Sequence, residues 1–277
     1  MKNLLVVFED SDAALARLET ACVLARDFDA HLTVLAVTHP PPLIAGAEPG
    51  MSGEIYVQEL DDARARLADA ATRAREKLEA AGMADDVRVM SELAGSVSPQ
   101  VARHARYADL TLAGQPEEHA SSVVLDALEG ALFDSGRPVV MVPPGWGGRN
   151  FGNRILLAWD GGREAARATR DALPLLMRAE TVHVAVVAPE IGPGAHGEDP
   201  GADLATVLAR NGVTVEVDVI GASHQRISQT LLGRAKAYGA DLVVMGAYGH
   251  SRFRETLLGG VTREMIEESG LPLFLSH

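Results

Sequence analysis

Ala108-Asp109-Leu110-Thr111-Leu112-Ala113-Gly114 returns later in the chain as Ala240-Asp241-Leu242-Val243-Val244-Met245-Gly246. A second landmark, Arg137-Pro138-Val139-Val140-Met141, has its own partner downstream in the same order, Leu271-Pro272-Leu273-Phe274-Leu275. Paired landmarks in matching order mark an internal duplication. Each is a short, continuous apolar run, the pattern of a strand covered on both faces in a parallel sheet.

Working outward from the first landmark, Leu4 to Phe8 is another such run, stopped by Glu9-Asp10-Ser11. Asp10 or Ser11 can cap a helix whose apolar positions Leu15, Leu18, Ala21, Cys22 and Ala25 recur at intervals of three and four. A strand at Leu32 to Val37 and a Pro/Gly-rich loop over His39 to Gly53 follow. Then comes a long helix striped by Leu60, Ala63, Leu67, Ala70, Ala74 and Leu78, with Gly82 placed to end it. Strands at Val87 to Met90, Leu110 to Ala113 and Val139 to Val142, with a helix over Val97 to Tyr107, complete a β-α-β-α-β-α-β-α-β order. Such alternation predicts right-handed crossovers and helices on both faces of a parallel sheet. The second half repeats it from Ile155 to Trp159 and Asp160, through a helix at Glu164 to Met177 and a strand at Val182 to Val187. The expected fold is α/β, as two tandem five-stranded, Rossmann-like domains at residues 1–147 and 152–277, joined through Pro143 to Gly148.

Bulk properties agree with that division. A chain of 277 residues sits near the upper limit for one hydrophobic core, which favours two domains, and 47% of it is apolar. The net charge of −13, with no basic run, argues against binding nucleic acid or an anionic membrane surface. Cys22 is the single cysteine, so an intrachain disulfide and a thiolate metal cluster are ruled out. The amino terminus lacks the pattern of a secretory signal, and no apolar run approaches the roughly 20 residues that span a bilayer. A cytoplasmic protein is expected.

Chemistry is sought beyond the carboxyl ends of the strands, where open parallel sheets bind ligands. After the fourth strand of the second half the chain reads Gly246-Ala-Tyr-Gly249-His-Ser-Arg-Phe-Arg-Glu-Thr-Leu-Leu-Gly259-Gly260-Val261-Thr262 and then enters a helix. Glycines there let backbone N–H groups approach an anion without a Cβ in the way, and the helix start adds its positive dipole end. Phosphate suits that environment. Asp160 ends the first strand of the same half, where its carboxylate can accept from an adenine amino group or a ribose hydroxyl; capping the next helix is the alternative role. Pro189 to Pro200 forms a second Pro/Gly-rich loop nearby in sequence.

These residues resemble the universal stress proteins in their tandem form, over nearly the whole chain. Nucleotide-binding members carry Gly-x2-Gly-x9-Gly followed by Ser or Thr, after a strand that opens Ala-Asp-Leu, and Gly246, Gly249 and Gly259 match those intervals. The resemblance implies ATP or AMP, with Mg where phosphates require it, in the second domain. It implies that Asp160 contacts adenine or ribose, that Ala158 and Val186 flank the base, and that Met245 lies beside the ribose. Gly260 and Val261 would offer N–H groups to phosphate. The family's Ser or Thr is here Gly260, which keeps the amide and loses a hydroxyl that Thr262 is the nearest residue to replace; Arg252 and Arg254 lie in the loop, either solvated, the more common role for such residues, or reaching a phosphate. The first copy reads Gln115-Pro-Glu117-Glu118 after Gly114 and has neither of the later glycines, so it is expected to be degenerate. The resemblance also implies that Val139 to Val142 and Leu273 to Leu275 pair within the chain as a pseudo-dimer; a homodimer and a protein partner stay open.

Other chemistries find little footing. There is no Gly-x4-Gly-Lys-Ser/Thr, no Gly-x-Ser-x-Gly, and none of the nine histidines has another three or four residues away. A response-regulator receiver would need a phosphoacceptor Asp where the first copy has Ser91-Glu92, and a Lys where it has Arg137-Pro138. The expected function is a stress-response sensor or regulatory module that binds an adenine nucleotide, without a catalytic or metal site. The alternatives are a nucleotide-free interaction protein of the same fold and a weak ATPase or self-phosphorylating protein.

Overall fold

A computed structural model describes residues 1–38, 51–84, 86–90, 96–116, 122–188, 199–221, 225–247 and 260–277. They fall into two compact units: unit 1 is Met1–Arg137 with Pro144–Arg149, and unit 2 is Pro138–Pro143 with Asn150–His277.

Unit 1 contains β1 (Asn3–Phe8), α1 (Asp12–Phe28), β2 (His31–Ala36), α2 (Met51–Ala80), β3 (Val87–Val89), α3 (Val97–Ala105), β4 (Leu110–Gly114) and α4 (Ser122–Phe133). Its strands lie in the order β3-β2-β1-β4 and run parallel. β1 and β4 are buried along almost their whole length, as their unbroken apolar runs require. Of the two candidate caps, Ser11 takes the role, its Oγ accepting from the Ala14 N–H at 3.0 Å. Of the loop expected over His39 to Gly53, residues 51–53 belong instead to α2, which begins at Met51, and the rest lies outside the described residues. The other end of α2 is as expected: Gly82 takes φ +64°, which lets the Met83 N–H close back on the Leu78 carbonyl at 2.9 Å. Cys22 is buried against α1's neighbours, and that burial pushes its thiol pKa up.

Unit 2 contains β5 (Val139–Val142), β6 (Arg154–Ala158), α5 (Arg163–Leu176), β7 (Thr181–Val187), α6 (Ala202–Arg210), β8 (Val215–Ile220), α7 (Ile227–Tyr238), β9 (Leu242–Gly246), α8 (Gly260–Glu268) and β10 (Leu273–Ser276). The strand order is β5-β10-β9-β6-β7-β8. All neighbours are parallel except β5 and β10, which run antiparallel with Met141 opposite Leu273, Val140 opposite Phe274 and Val139 opposite Leu275. β5, which closes the first sequence copy, thus sits inside the second compact unit.

The duplicated Ala-Asp-Leu landmark has a structural cause. Asp109 accepts from the Lys2 and Asn3 backbone N–H groups at 2.6 and 3.0 Å. Asp241 does the same at the start of β6, accepting from Gly152, Asn153 and Arg154 at 2.8, 3.1 and 3.1 Å. Each carboxylate ties the amino-terminal edge of a sheet together, away from the ends where ligands bind. Among the described residues no helix is long and apolar enough to cross a membrane.

Candidate functional site

The carboxyl ends of β6, β7 and β9 open onto a cavity of about 290 Å³, at the lower limit of the usual range for small-molecule sites, about 300–1,000 Å³. β6 contributes Ala158 and then Trp159 and Asp160, β7 contributes Ala185 and Val187, and β9 contributes Met245 and Gly246. The rest of the wall comes from Ala165 on α5, Ile227 and Leu231 on α7, and Gly260, Val261 and Thr262 in the first turn of α8. The lining thus combines the start of a helix, with its positive pole, a carboxylate and apolar surface.

Asp160 is exposed, and its Oδ1 accepts from the Gly162 N–H at 2.8 Å. Gly162 is the N-cap residue of α5 and has no side chain of its own to do this, so the capping role considered from sequence is real. It occupies one oxygen only. Oδ2 has no hydrogen-bond partner among the described residues, and Asp160 can cap α5 and still accept from a ligand.

Gly246 is glycine for a reason unrelated to any anion. A Cβ there would lie 2.5 Å from the Ala165 nitrogen and 2.5 Å from the Glu164 carbonyl carbon, so the start of α5 packs directly on the end of β9. Gly260 is the opposite case: a Cβ built on it meets nothing within 4 Å among the described residues. Thr262 is buried, while Val261 is half-buried.

Of the residues named from sequence, Ala158, Asp160, Met245, Gly246, Gly260, Val261 and Thr262 are brought together around the cavity. Val186 is buried, and its side chain points toward Gly201 on the α6 side. Ala185 and Val187 face the cavity instead, as strand alternation requires. Gly249, Gly259, Arg252 and Arg254 lie outside the described residues. Sequence reasoning also passed over Trp159, Ala165, Ile227 and Leu231. The i, i+4 spacing of Ile227 and Leu231 at a helix start was a usable signal; Ala165 had none, because only the packing of α5 on β9 brings it to the cavity.

Two helices that wall the cavity are tied to each other. Arg226, the N-cap residue of α7, donates to Glu268 at 2.8 Å and pairs with Glu264 at 3.0 Å. The buried Ser228 hydroxyl also donates to Glu264. These hydrogen bonds from Ser228 and Arg226 hold the Glu264 carboxyl below its ordinary pKa, favouring the charged form that the clamp needs.

Comparison with known proteins gives the family. The sequence model of the Universal stress protein family matches residues 1–112 and 152–277. The chain is 32% identical over 60 residues to Universal stress protein MJ0577 of Methanocaldococcus jannaschii, a match covering 22% of this chain and 35% of that relative. It thus spans about a third of the curated relative's length. Among solved structures, a universal stress protein from Archaeoglobus fulgidus DSM 4304 superposes with a TM-score of 0.69 at 20% identity, over 99% of this chain and 95% of that one. A functionally unknown protein from Pseudomonas aeruginosa PAO1 gives 0.58 at 16% identity, over 100% and 92%. At these identities the structural likeness speaks for the fold alone.

Proposed function

The chain belongs to the universal stress protein family, and on that premise we propose that unit 2 binds one adenine nucleotide, ATP or AMP, as the sensing or regulatory module of a stress-response protein. The observation that carries this reading is that a single cavity is lined by Asp160, with one carboxylate oxygen free, by the start of α8 and by apolar side chains. An adenine nucleotide presents donors at its base and ribose and negative charge at its phosphate, groups that complement a carboxylate and a helix start. Apolar Ala158, Ala185, Val187 and Met245 suit the faces of the base and sugar. The phosphates would lie against Gly260 and Val261, with Mg arriving only as their companion. A cytoplasmic setting belongs to the same proposal, as does family-type pairing of the copies through their last strands, for which the β5–β10 ladder is the support.

A second reading, a nucleotide-free interaction protein, is favoured by two specific features. Gly246 is accounted for by the close approach of α5, and Gly260 lacks the hydroxyl that nucleotide-binding relatives offer.

Isothermal titration of the full chain with Mg-ATP and Mg-AMP, with nucleotide analysis of the denatured protein, decides between them. One site per chain is expected. No heat at millimolar nucleotide and no released nucleotide would overturn the proposal. Asp160→Asn separates the two roles of that residue, because an amide oxygen still caps α5 through Gly162 while the second acceptor becomes a donor. Binding should weaken by about tenfold or more with the unfolding temperature unchanged.

A further inference from the structure

The ladders of the two units align them residue by residue. Leu4 pairs with Leu110 as Ile155 pairs with Leu242, which makes Val7, Glu9, Arg17 and Gly114 the equivalents of Ala158, Asp160, Ala168 and Gly246. Three of those unit 2 positions, Ala158, Asp160 and Gly246, line the cavity. In unit 1 the same three positions are all engaged by one side chain.

That side chain is Arg17, only 2% exposed. It donates from Nε at 3.0 Å and from Nη2 at 2.8 Å to the Val7 carbonyl oxygen. Nη2 also pairs with Glu9 Oε2, and a Cβ on Gly114 would lie 2.5 Å from Nη1. The other oxygen of Glu9 accepts from the Ser11 hydroxyl at 3.0 Å, so the carboxylate is oriented from both sides. In α5 the equivalent residue, Ala168, is fully buried and too short to reach anything comparable.

We propose that unit 1 retains the same ligand-binding locus and that Arg17 is its permanent occupant, a guanidinium supplied by the chain itself. The locus is a receptor built for that cation: a backbone carbonyl and a fixed carboxylate meet the fork of donors, and the glycine at the end of β4 leaves room for its edge. With Arg17 in place no external ligand enters. With its side chain cut back, the locus takes a small guanidinium from solution. An alkylammonium, a single point of charge without the fork, fits it poorly. None of this depends on what unit 2 binds.

Arg17→Ala deletes two methylenes and the guanidinium, which together are the atoms of ethylguanidinium. The test is thermal unfolding of the full-length variant and parent, titrated with ethylguanidinium or ethylammonium at equal ionic strength. The variant should unfold at lower temperature than the parent. Ethylguanidinium should raise it again, saturably, by roughly 2–4 °C or more, with no response to ethylammonium and none from the parent. Equal responses to both cations, or none, would overturn the proposal. If the variant does not fold unaided, refolding yield with each cation reads the same contrast. An independent variant is Gly114→Ala, whose added methyl crowds Nη1. Its destabilisation should shrink when combined with Arg17→Ala, and strictly additive losses would count against the proposal.

Discussion

Asp109 in unit 1 and Asp241 in unit 2 do the same work at the starts of their sheets, whereas Glu9 and Asp160, at the far ends of the equivalent strands, do different work. Asp109 accepts from Lys2 and Asn3, and Asp241 from Gly152, Asn153 and Arg154. Glu9 is committed to Arg17 and Ser11, while Asp160 spends one oxygen on Gly162 and keeps the other. Duplication has preserved the edge that organises the strands and let the opposite edge diverge. An arginine at position 17 against an alanine at position 168 is the local change on which that divergence turns.

The glycines that end β4 and β9 offer the largest test of this comparison. At Gly246 an added methyl runs into backbone of α5, which cannot yield without moving the helix; at Gly114 it meets the tip of Arg17 and a methyl of Val124 at 3.0 Å. Gly246→Ala should therefore cost about 3 kcal/mol or more and Gly114→Ala about 1 kcal/mol, compared by denaturant unfolding. Equal costs would mean that the two strand ends are built more alike than the contacts indicate.

Gly260 sharpens the contrast from the binding side. Since a Cβ there meets nothing within 4 Å among the described residues, Gly260→Ser should place a hydroxyl at the start of α8 without a clash against them. If unit 2 holds phosphate, affinity should rise by about 1.5–3 kcal/mol, ten- to a hundredfold, as measured by titration. An unchanged affinity would favour the nucleotide-free reading.

The smallest effect concerns the outer edge of unit 1. Burial opposes ionisation of Asp86, but hydrogen bonds from Arg88, Thr33 and His31 outweigh it and hold the carboxyl well below its usual range. A folded pKa below the unfolded value near 4 gives stability that is present above about pH 4 and lost as pH falls below it. Asp86→Asn should flatten the acid limb of a stability–pH curve and leave the alkaline limb alone. An unaltered acid limb would show that the cluster contributes nothing.

Most of the architecture was legible in the chain itself. Unbroken apolar runs such as Leu4 to Phe8 and Leu242 to Met245 announce strands buried on both faces, and the paired Ala-Asp-Leu and X-Pro landmarks announce the duplication. The Gly/Asp vocabulary around Asp160 and Gly246 pointed to strand ends that the structure brings together around one cavity. Less legible was the direction of side chains: Val186 was selected by resemblance, and it is Ala185 and Val187 that turn toward the cavity.

Local chemistry is carried by residue type and spacing, which is why the sequence alone determined the α/β class, the tandem repeat and the glycine-rich segment. Only the tertiary structure decided that Gly246 answers to α5, that Asp160 has an oxygen to spare, and that Arg17 fills in unit 1 the place left open in unit 2. Those facts depend on which atoms from distant segments arrive within about 3 Å of each other. Contact at that range is a property of packing, and Arg17 read in sequence is simply one more cation on a helix.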